Sequence, residues 1–291
     1  MGNTHRPTTA KQTSFNSRLI TAARQNNSLL CVGLDPDPEK LPTHLADEPH
    51  PFYHFCAAIV DAVADLACCF KPQIAHFAAQ GAEAELEALI AHIHSQHPRL
   101  PVILDAKRGD IGSTAACYAK EAFERYDADA LTVNPYLGGD SITPYLKYHG
   151  KGIFLLCRTS NAGGSDLQSL GIANANGEKL YERVAKLAQE WNTNGQIGLV
   201  TGATYPEEIS SVRSIVGGNM PLLVPGIGAQ GGDIAATLAA GSSQDGMLIL
   251  NSSRAILYNS AGKDFAQSAR QAAIATREQI NQERARLACQ Q

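Results

Sequence analysis

Between residues 102 and 112 the chain reads VILDAKRGDIG, an apolar run that ends in Asp105, Lys107, Arg108 and Asp110. A buried lysine alone tends to shed its proton and a buried carboxylate to take one up, because burial penalises the charged form. Set in alternation they hold each other charged, by about 4 kcal/mol per close pair at an effective dielectric of 20. The two-residue period of a strand places Ile103, Asp105 and Lys107 on one face and Val102 and Leu104 on the other. In ACCFKPQ (67–73), Cys69, Lys71 and Gln73 share a face in the same way, and Asp35 closes the run SLLCVGLD (28–35). Two lysines and three carboxylates at neighbouring strand ends exceed what a rim ion pair needs. They mark an active site. Gly109 is expected to let the chain turn sharply and carry Asp110 away from Lys107, while Arg108 has no evident role.

A second group of residues suits an anion. PGIGAQGG (225–232) offers backbone N–H groups, Gly231 among them, and the amide of Gln230; NSSR (251–254) offers Ser253 and the guanidinium of Arg254. Barrels of alternating strands and helices commonly bind phosphate in such late loops. A phosphorylated substrate follows. Other candidates carry less. His92, His94 and His97 in AHIHSQHP resemble a metal cluster but sit at a helix end before the third strand, on the opposite rim, and read better as a solvated helix end than as a metal site. Ser160 and Ser253 lack the context of a hydrolase nucleophile. Trp191 and the tyrosines read as core or surface aromatics.

The elements that must position these residues are legible as eight short apolar runs bounded by turn residues: 28–35, 67–73, 101–107, 130–135, 152–158, 196–202, 221–226 and 246–252. Strands that are apolar throughout are buried on both faces, as parallel strands under helices are. Helical spacing appears between them at 52–67, 78–96, 113–126, 178–193, 205–216 and 232–241, and a long amphipathic helix over 261–288 ends the chain. Eight such units without a linker predict an α/β fold, a single (β/α)8 TIM barrel with a long C-terminal helix, over residues 14–291. Residues 1–13 read as a flexible tail. A doubly wound sheet would want a glycine fingerprint after the first strand, and GLDPDPEKLP is not one.

Composition narrows the partners. The net charge is −4 and no Lys/Arg block occurs, so nothing suits a nucleic-acid backbone. No apolar stretch reaches bilayer length and MGNTHRPTTAKQTS is too polar for a signal peptide, which together predict no membrane association. Seven cysteines, an odd number mostly in apolar runs, read as reduced buried thiols of a cytoplasmic chain.

DAKRGDIGST (105–114) resembles the D-x-K-x-x-D-I-G-x-T signature of the orotidine 5′-phosphate decarboxylases. CVGLDPDPEKLP, FKPQIAHF, CRTSNAGGSDLQ, VPGIGAQGGD and LILNSSRAILY follow in the order found in the longer, bacterial-type branch. The DxKxxD core is shared with related sugar-phosphate decarboxylases; six segments in sequence are far more specific. The resemblance implies a cofactor-free homodimer that converts orotidine 5′-monophosphate (OMP) to uridine 5′-monophosphate (UMP) and CO2, in pyrimidine biosynthesis. It implies that Lys71, Asp105, Lys107 and Asp110 form the catalytic network, with Lys107 donating the proton. Asp35 and Lys71 would contact the ribose, Ser160 the ribose or pyrimidine, and Gln230 with Arg254 the phosphate. Asp110 and Thr114 would act across the dimer interface. Thr159 and Asn161 compete with Ser160 for its contact. Two other readings stay open beside this one: a Schiff-base aldolase using Lys107, and a nucleotide-binding barrel without catalysis.

Overall fold

Strand β1 (Leu30–Leu34) pairs in parallel with β2 (Cys69–Pro72) on one side and β8 (Leu248–Ser252) on the other. From β8 the sheet continues through β7 (Leu222–Pro225), β6 (Ile197–Thr201), β5 (Gly152–Arg158) and β4 (Ala130–Val133) to β3 (Ile103–Arg108). Parallel bridges Phe70↔Val102 and Gln73↔Asp105 join β2 to β3 and close the ring. All eight expected strands are present, as a TIM barrel. The computed structural model describes residues 14–173, 177–227, 232–243 and 247–289; the tail 1–13 and the proposed phosphate contacts Gln230 and Gly231 lie outside them.

The helices alternate with the strands. Before β2 come α1 (Phe15–Gln25), α2 (Thr43–Ala46) and α3 (Pro51–Val63); before β3 come α4 (Ile74–Ala78) and α5 (Glu83–Gln96). The single helix expected over 78–96 is thus displaced into two, separated at Gly81, whose φ of +65° is left-handed backbone that favours glycine. Next follow α6 (Gly112–Lys120), running into a π-turn over Glu121–Arg125, then α7 (Gly139–Leu146), α8 (Leu180–Trp191) and α9 (Pro206–Val216). The chain ends with α10 (Ile234–Gly241), α11 (Arg254–Leu257) and α12 (Phe265–Ala288). Helix α7 escapes sequence patterning because Gly138 and Gly139 stand at its start and Pro144 lies within it.

Two buried clusters show how the strands are oriented. Val32, Phe70, Val102, Leu104, Leu131, Leu155 and Val224 pack outward against the helices. Cys31, Cys69, Ile103, Phe154, Leu223 and Ile249 fill the barrel interior. Helix α1, absent from the sequence expectation, closes the interior at the strand N-termini: Phe15 meets Phe154 edge-on at 5.8 Å and Leu19 lies beside it in the same cluster. With that end sealed, polar side chains gather at the other. Five of the seven thiols are buried and all seven are unbridged.

Candidate active site

Ile103 belongs to the interior cluster and Val102 and Leu104 to the outer one, so Asp105, two residues on, points into the barrel mouth. Its carboxylate is shared by two ammonium groups. Lys71 Nζ, from β2, donates to Asp105 Oδ2 at 2.8 Å, and Lys107 Nζ donates to Oδ1 at 2.7 Å. Lys71 and Asp105 are buried, whereas the Lys107 side chain is 47% exposed and opens onto the cavity. Burial alone would push the Asp105 carboxyl up; Lys71 and Lys107 outweigh it and hold the group below the usual carboxylate range. Burial would likewise lower Lys71, yet Asp105 and Asp35 hold it above the ordinary lysine value. Lys71 and Asp105 thus both carry charge at neutral pH.

The backbone at this point departs from a regular strand. Lys107 has φ +47°, a left-handed conformation uncommon for a residue with a β-carbon, and the β3–β4 register shifts between Leu104 and Arg108. The N–H groups of Ala106 and Lys107 both donate to Thr132 Oγ1 of β4, at 3.0 and 2.9 Å. The same hydroxyl donates to Asp105 Oδ1 at 2.8 Å. Thr132 is 1% exposed and was missed in the sequence because a threonine in ALTVNP looks like an ordinary strand residue. A strained backbone held by such a support fixes where the Lys107 side chain leaves the strand. It also corrects the expectation for Gly109. The left-handed residues are Lys107 and Gly112, whereas Gly109 is a close approach, where a β-carbon would lie 3.2 Å from that of Asn134.

Two cavities of about 450 and 440 Å³ meet at the charged trio, sharing Lys71, Asp105 and Pro225. The first has apolar walls from Leu156, Val200 and Leu223 and a polar edge from Thr159, Ser160 and Asn161, which suits a flat ring with polar substituents. The second holds Asp35, Ser253, Arg254, Lys40, His76 and Asn251. Within it Asp35 Oδ1 and Ser253 Oγ are buried without a hydrogen-bond partner, a costly state that a hydroxylated ligand would relieve.

Arg158 at the end of β5 shapes the first cavity from behind. It is 2% exposed, paired through Nε with Glu208, and lies over the Tyr205 ring at 4.3 Å. Its Nη1 donates to the Thr159 carbonyl and to Gln168 Oε1, and the Thr159 N–H donates to the same Gln168 oxygen at 2.8 Å. The RTSN run is thus one structural arginine followed by residues that face the cavity.

Asp110 and Thr114 are not brought to this site. Asp110 lines neither cavity and accepts from the Ile111 N–H at 2.8 Å, while Thr114 is exposed in the first turn of α6. Arg108 acquires a role here. It forms a bidentate pair with Glu121, with contacts of 2.8 to 3.1 Å, and stacks over Tyr118 at 4.6 Å, fastening the turn that carries Asp110 to α6.

Residues 28–271 match the model of the orotidine 5′-phosphate decarboxylase / HUMPS family. Two relatives named orotidine 5′-phosphate decarboxylase are similar over nearly their whole length. One, from Aromatoleum aromaticum, is 64% identical, covering 93% of this chain and 99% of its own; the other, from Dechloromonas aromatica, is 66% identical, covering 92% and 98%. The structure of Leishmania donovani OMP decarboxylase superposes with a TM-score of 0.80 at 37% identity, over 94% of this chain and 99% of that one. A Toxoplasma gondii structure described as a putative orotidine-monophosphate decarboxylase gives 0.83 at 34% identity, over 97% and 100%.

Proposed function

The chain belongs to the orotidine 5′-phosphate decarboxylase / HUMPS family, and we propose on that premise that it converts OMP to UMP and CO2 with Lys107 as the proton donor to C6. The activity is that of the relatives it matches over nearly their full length, a step of pyrimidine biosynthesis. One observation carries the assignment of Lys107: its ammonium reaches into the cavity, is held at 2.7 Å by a buried carboxylate and sits on a strained, supported backbone.

The chemistry asks for such a group. When the bond from C6 to the carboxylate breaks, CO2 leaves and the electron pair stays in an sp2 orbital that the ring cannot delocalise. A fixed ammonium stabilises that developing charge and then gives C6 its proton, which the lysine recovers from water. Asp105 keeps the ammonium charged and oriented, and Lys71 keeps Asp105 ionised. In this reading the pyrimidine occupies the apolar-walled cavity beside Ser160. The ribose hydroxyls meet Asp35 and Lys71, and Arg254 takes the phosphate together with the loop that contains Gln230 and Gly231. Binding energy from the distant phosphate then holds the reacting end among the charges. A Schiff-base role is disfavoured because a lysine paired to a carboxylate at 2.7 Å is a poor nucleophile.

The same reading makes the active unit a homodimer. Asp110 lines neither cavity of its own chain, and Ile111, Tyr136 and Leu137 are 46 to 78% exposed. The β4–α7 segment bearing Tyr136 is tied to this turn by the Asn134 N–H donating to the Arg108 carbonyl at 2.7 Å. A second copy covering this face would receive Asp110 and Thr114 into its own site. Among the described residues no helix is long and apolar enough to cross a membrane, and the five buried free thiols fit a cytoplasmic location. The direct test follows OMP absorbance after addition of purified protein. Wild type consumes OMP; Lys107→Ala, folded to the same thermal midpoint, does not. Substantial turnover by that variant removes Lys107 as the donor.

A further inference from the structure

On the barrel rim opposite the charged trio, three side chains from two helices converge. Asp61 comes from the last turn of α3, His92 from the C-terminal half of α5, and His97 is the residue that caps α5. His92 and His97 are five positions apart and would diverge on a continuous helix. The helix stops at Gln96, and His97 leaves it at φ −130°, ψ 56°, so its ring folds back beside that of His92, with centroids 6.3 Å apart. Both Nε2 atoms approach one oxygen, Asp61 Oδ1, at 2.9 and 2.8 Å. These are not the solvated imidazoles that the sequence suggests: their side chains are only 17 and 23% exposed.

We propose that Asp61, His92 and His97 form a binding site for a divalent zinc ion that staples α3 to α5. Among the described residues they are the group of histidine and carboxylate ligand atoms lying within 4.8 Å of one another. Two imidazole nitrogens with one carboxylate oxygen are a borderline-soft set that suits zinc and discriminates against calcium and magnesium, which want oxygen. Ligands about 2.0–2.1 Å from a tetrahedral zinc stand about 3.3 Å from each other, so the present contacts need to open by only a few tenths of an ångström. Asp61, with its side chain 51% exposed, has room for that movement and leaves an open approach for the ion, the outer position going to water. On binding, the ion takes the place of the hydrogen on each Nε2, and each neutral ring carries its single proton on Nδ1 instead. His92 Nδ1 already lies 3.4 Å from the Tyr53 hydroxyl, and the Tyr53 ring stands edge-on to the imidazole at 6.0 Å. That neighbour is placed as second-sphere partners of zinc-bound histidines are. Since His97 precedes β3 whereas Lys107 lies at its far end, the ion would brace the barrel without touching the reaction.

Calorimetric titration of zinc chloride into the tag-free full chain tests this. Cys117 and Cys289, the exposed thiols, are first changed to serine so that they do not compete. One saturable site per chain is expected. His92→Gln and His97→Gln, which keep a polar side chain, should each weaken it more than about 100-fold, and Asp61→Asn should weaken it too. All three variants should retain the zinc-free melting temperature to within a few degrees and wild-type OMP turnover. Cobalt in place of zinc should give visible d–d bands without a thiolate charge-transfer band. Absence of saturable binding, binding that survives the triple variant, or a thiolate band would each overturn the proposal.

Discussion

Thr132 on β4 holds Lys107 on β3 by the backbone: its hydroxyl oxygen accepts the Lys107 N–H at 2.9 Å while its proton goes to Asp105 Oδ1 at 2.8 Å. One hydroxyl thereby fixes both the left-handed turn that presents the lysine and the carboxylate that keeps it charged. The carboxylate is in turn locked from the other side by Lys71. The root of the flexible side chain is thus tied to β4 through Thr132, and its counter-ion is tied to β2 through Lys71.

Replacing Thr132 by valine keeps the shape and removes the hydroxyl. Two backbone N–H groups lose their acceptor, at a cost of about 1–3 kcal/mol in stability. Lys107 loses its fixed backbone, and kcat should fall about 10- to 100-fold with little change in KM. Thr132→Ser retains the hydroxyl and should recover most of the rate. If valine and serine variants turn over alike, the hydroxyl does not position the lysine.

Asp105 and Lys71 shape stability against pH in opposite directions. The Asp105 carboxyl is depressed in the folded chain, so its contribution is complete above the ordinary value of 3.8 and is lost as pH falls toward the folded value. Lys71 is raised, so its contribution is complete below 10.5 and is lost as pH rises through the folded value. Between those limits neither group titrates. Asp105→Asn, which uncouples a buried ammonium, should therefore cost about 3 kcal/mol near neutral pH, shrinking in acid as the wild-type carboxyl takes up its proton. Urea unfolding of both proteins across pH measures this; a difference that does not shrink in acid would contradict the assignment of charge to Asp105.

How much of this could be read from the chain follows from what each feature depends on. The strands announce themselves because burial on both faces demands continuous apolar runs, and Asp105 with Lys71 stands out because charge in such a run is anomalous. Thr132 could not stand out: its role arises from a register shift between β3 and β4, which no local pattern encodes. Arg108 has no role legible in the sequence and neither does Arg158, since the partners they brace against, Glu121 and Glu208, lie 13 and 50 residues further on. The histidines at the end of α5 looked solvated because Asp61, which gathers them, is 31 residues away.

Arg108 offers a test of the brace. Arg108→Met keeps an apolar stem over Tyr118 but gives up the bidentate pair with Glu121. The pair is about three-quarters buried on each side, and losing one partner leaves Glu121 unpaired, so the loss of stability should be about 1–3 kcal/mol. The turn carrying Asp110 loosens, and kcat should drop about tenfold. A rate unchanged within error, at full stability, would leave Arg108 with a purely local function.

Whether that turn serves the neighbouring site is decided by mixing. Lys71→Ala and Asp110→Ala should each be inactive alone. In a heterodimer of the two, one site lacks both groups, and the other combines an intact Lys71 with the partner's intact Asp110. Equal mixing with free exchange makes about half the dimers mixed, so activity should return to about a quarter of the wild-type level. Arg108→Met should behave as a weaker Asp110→Ala, because it disturbs the donated turn and leaves its own trio whole. Mixed with Lys71→Ala, it should likewise rise to about a quarter of the wild-type level, because the live site of the mixed dimer receives an intact turn from the Lys71→Ala chain. If subunit exchange is demonstrated and no activity returns, Asp110 acts within its own chain and the shared site is wrong.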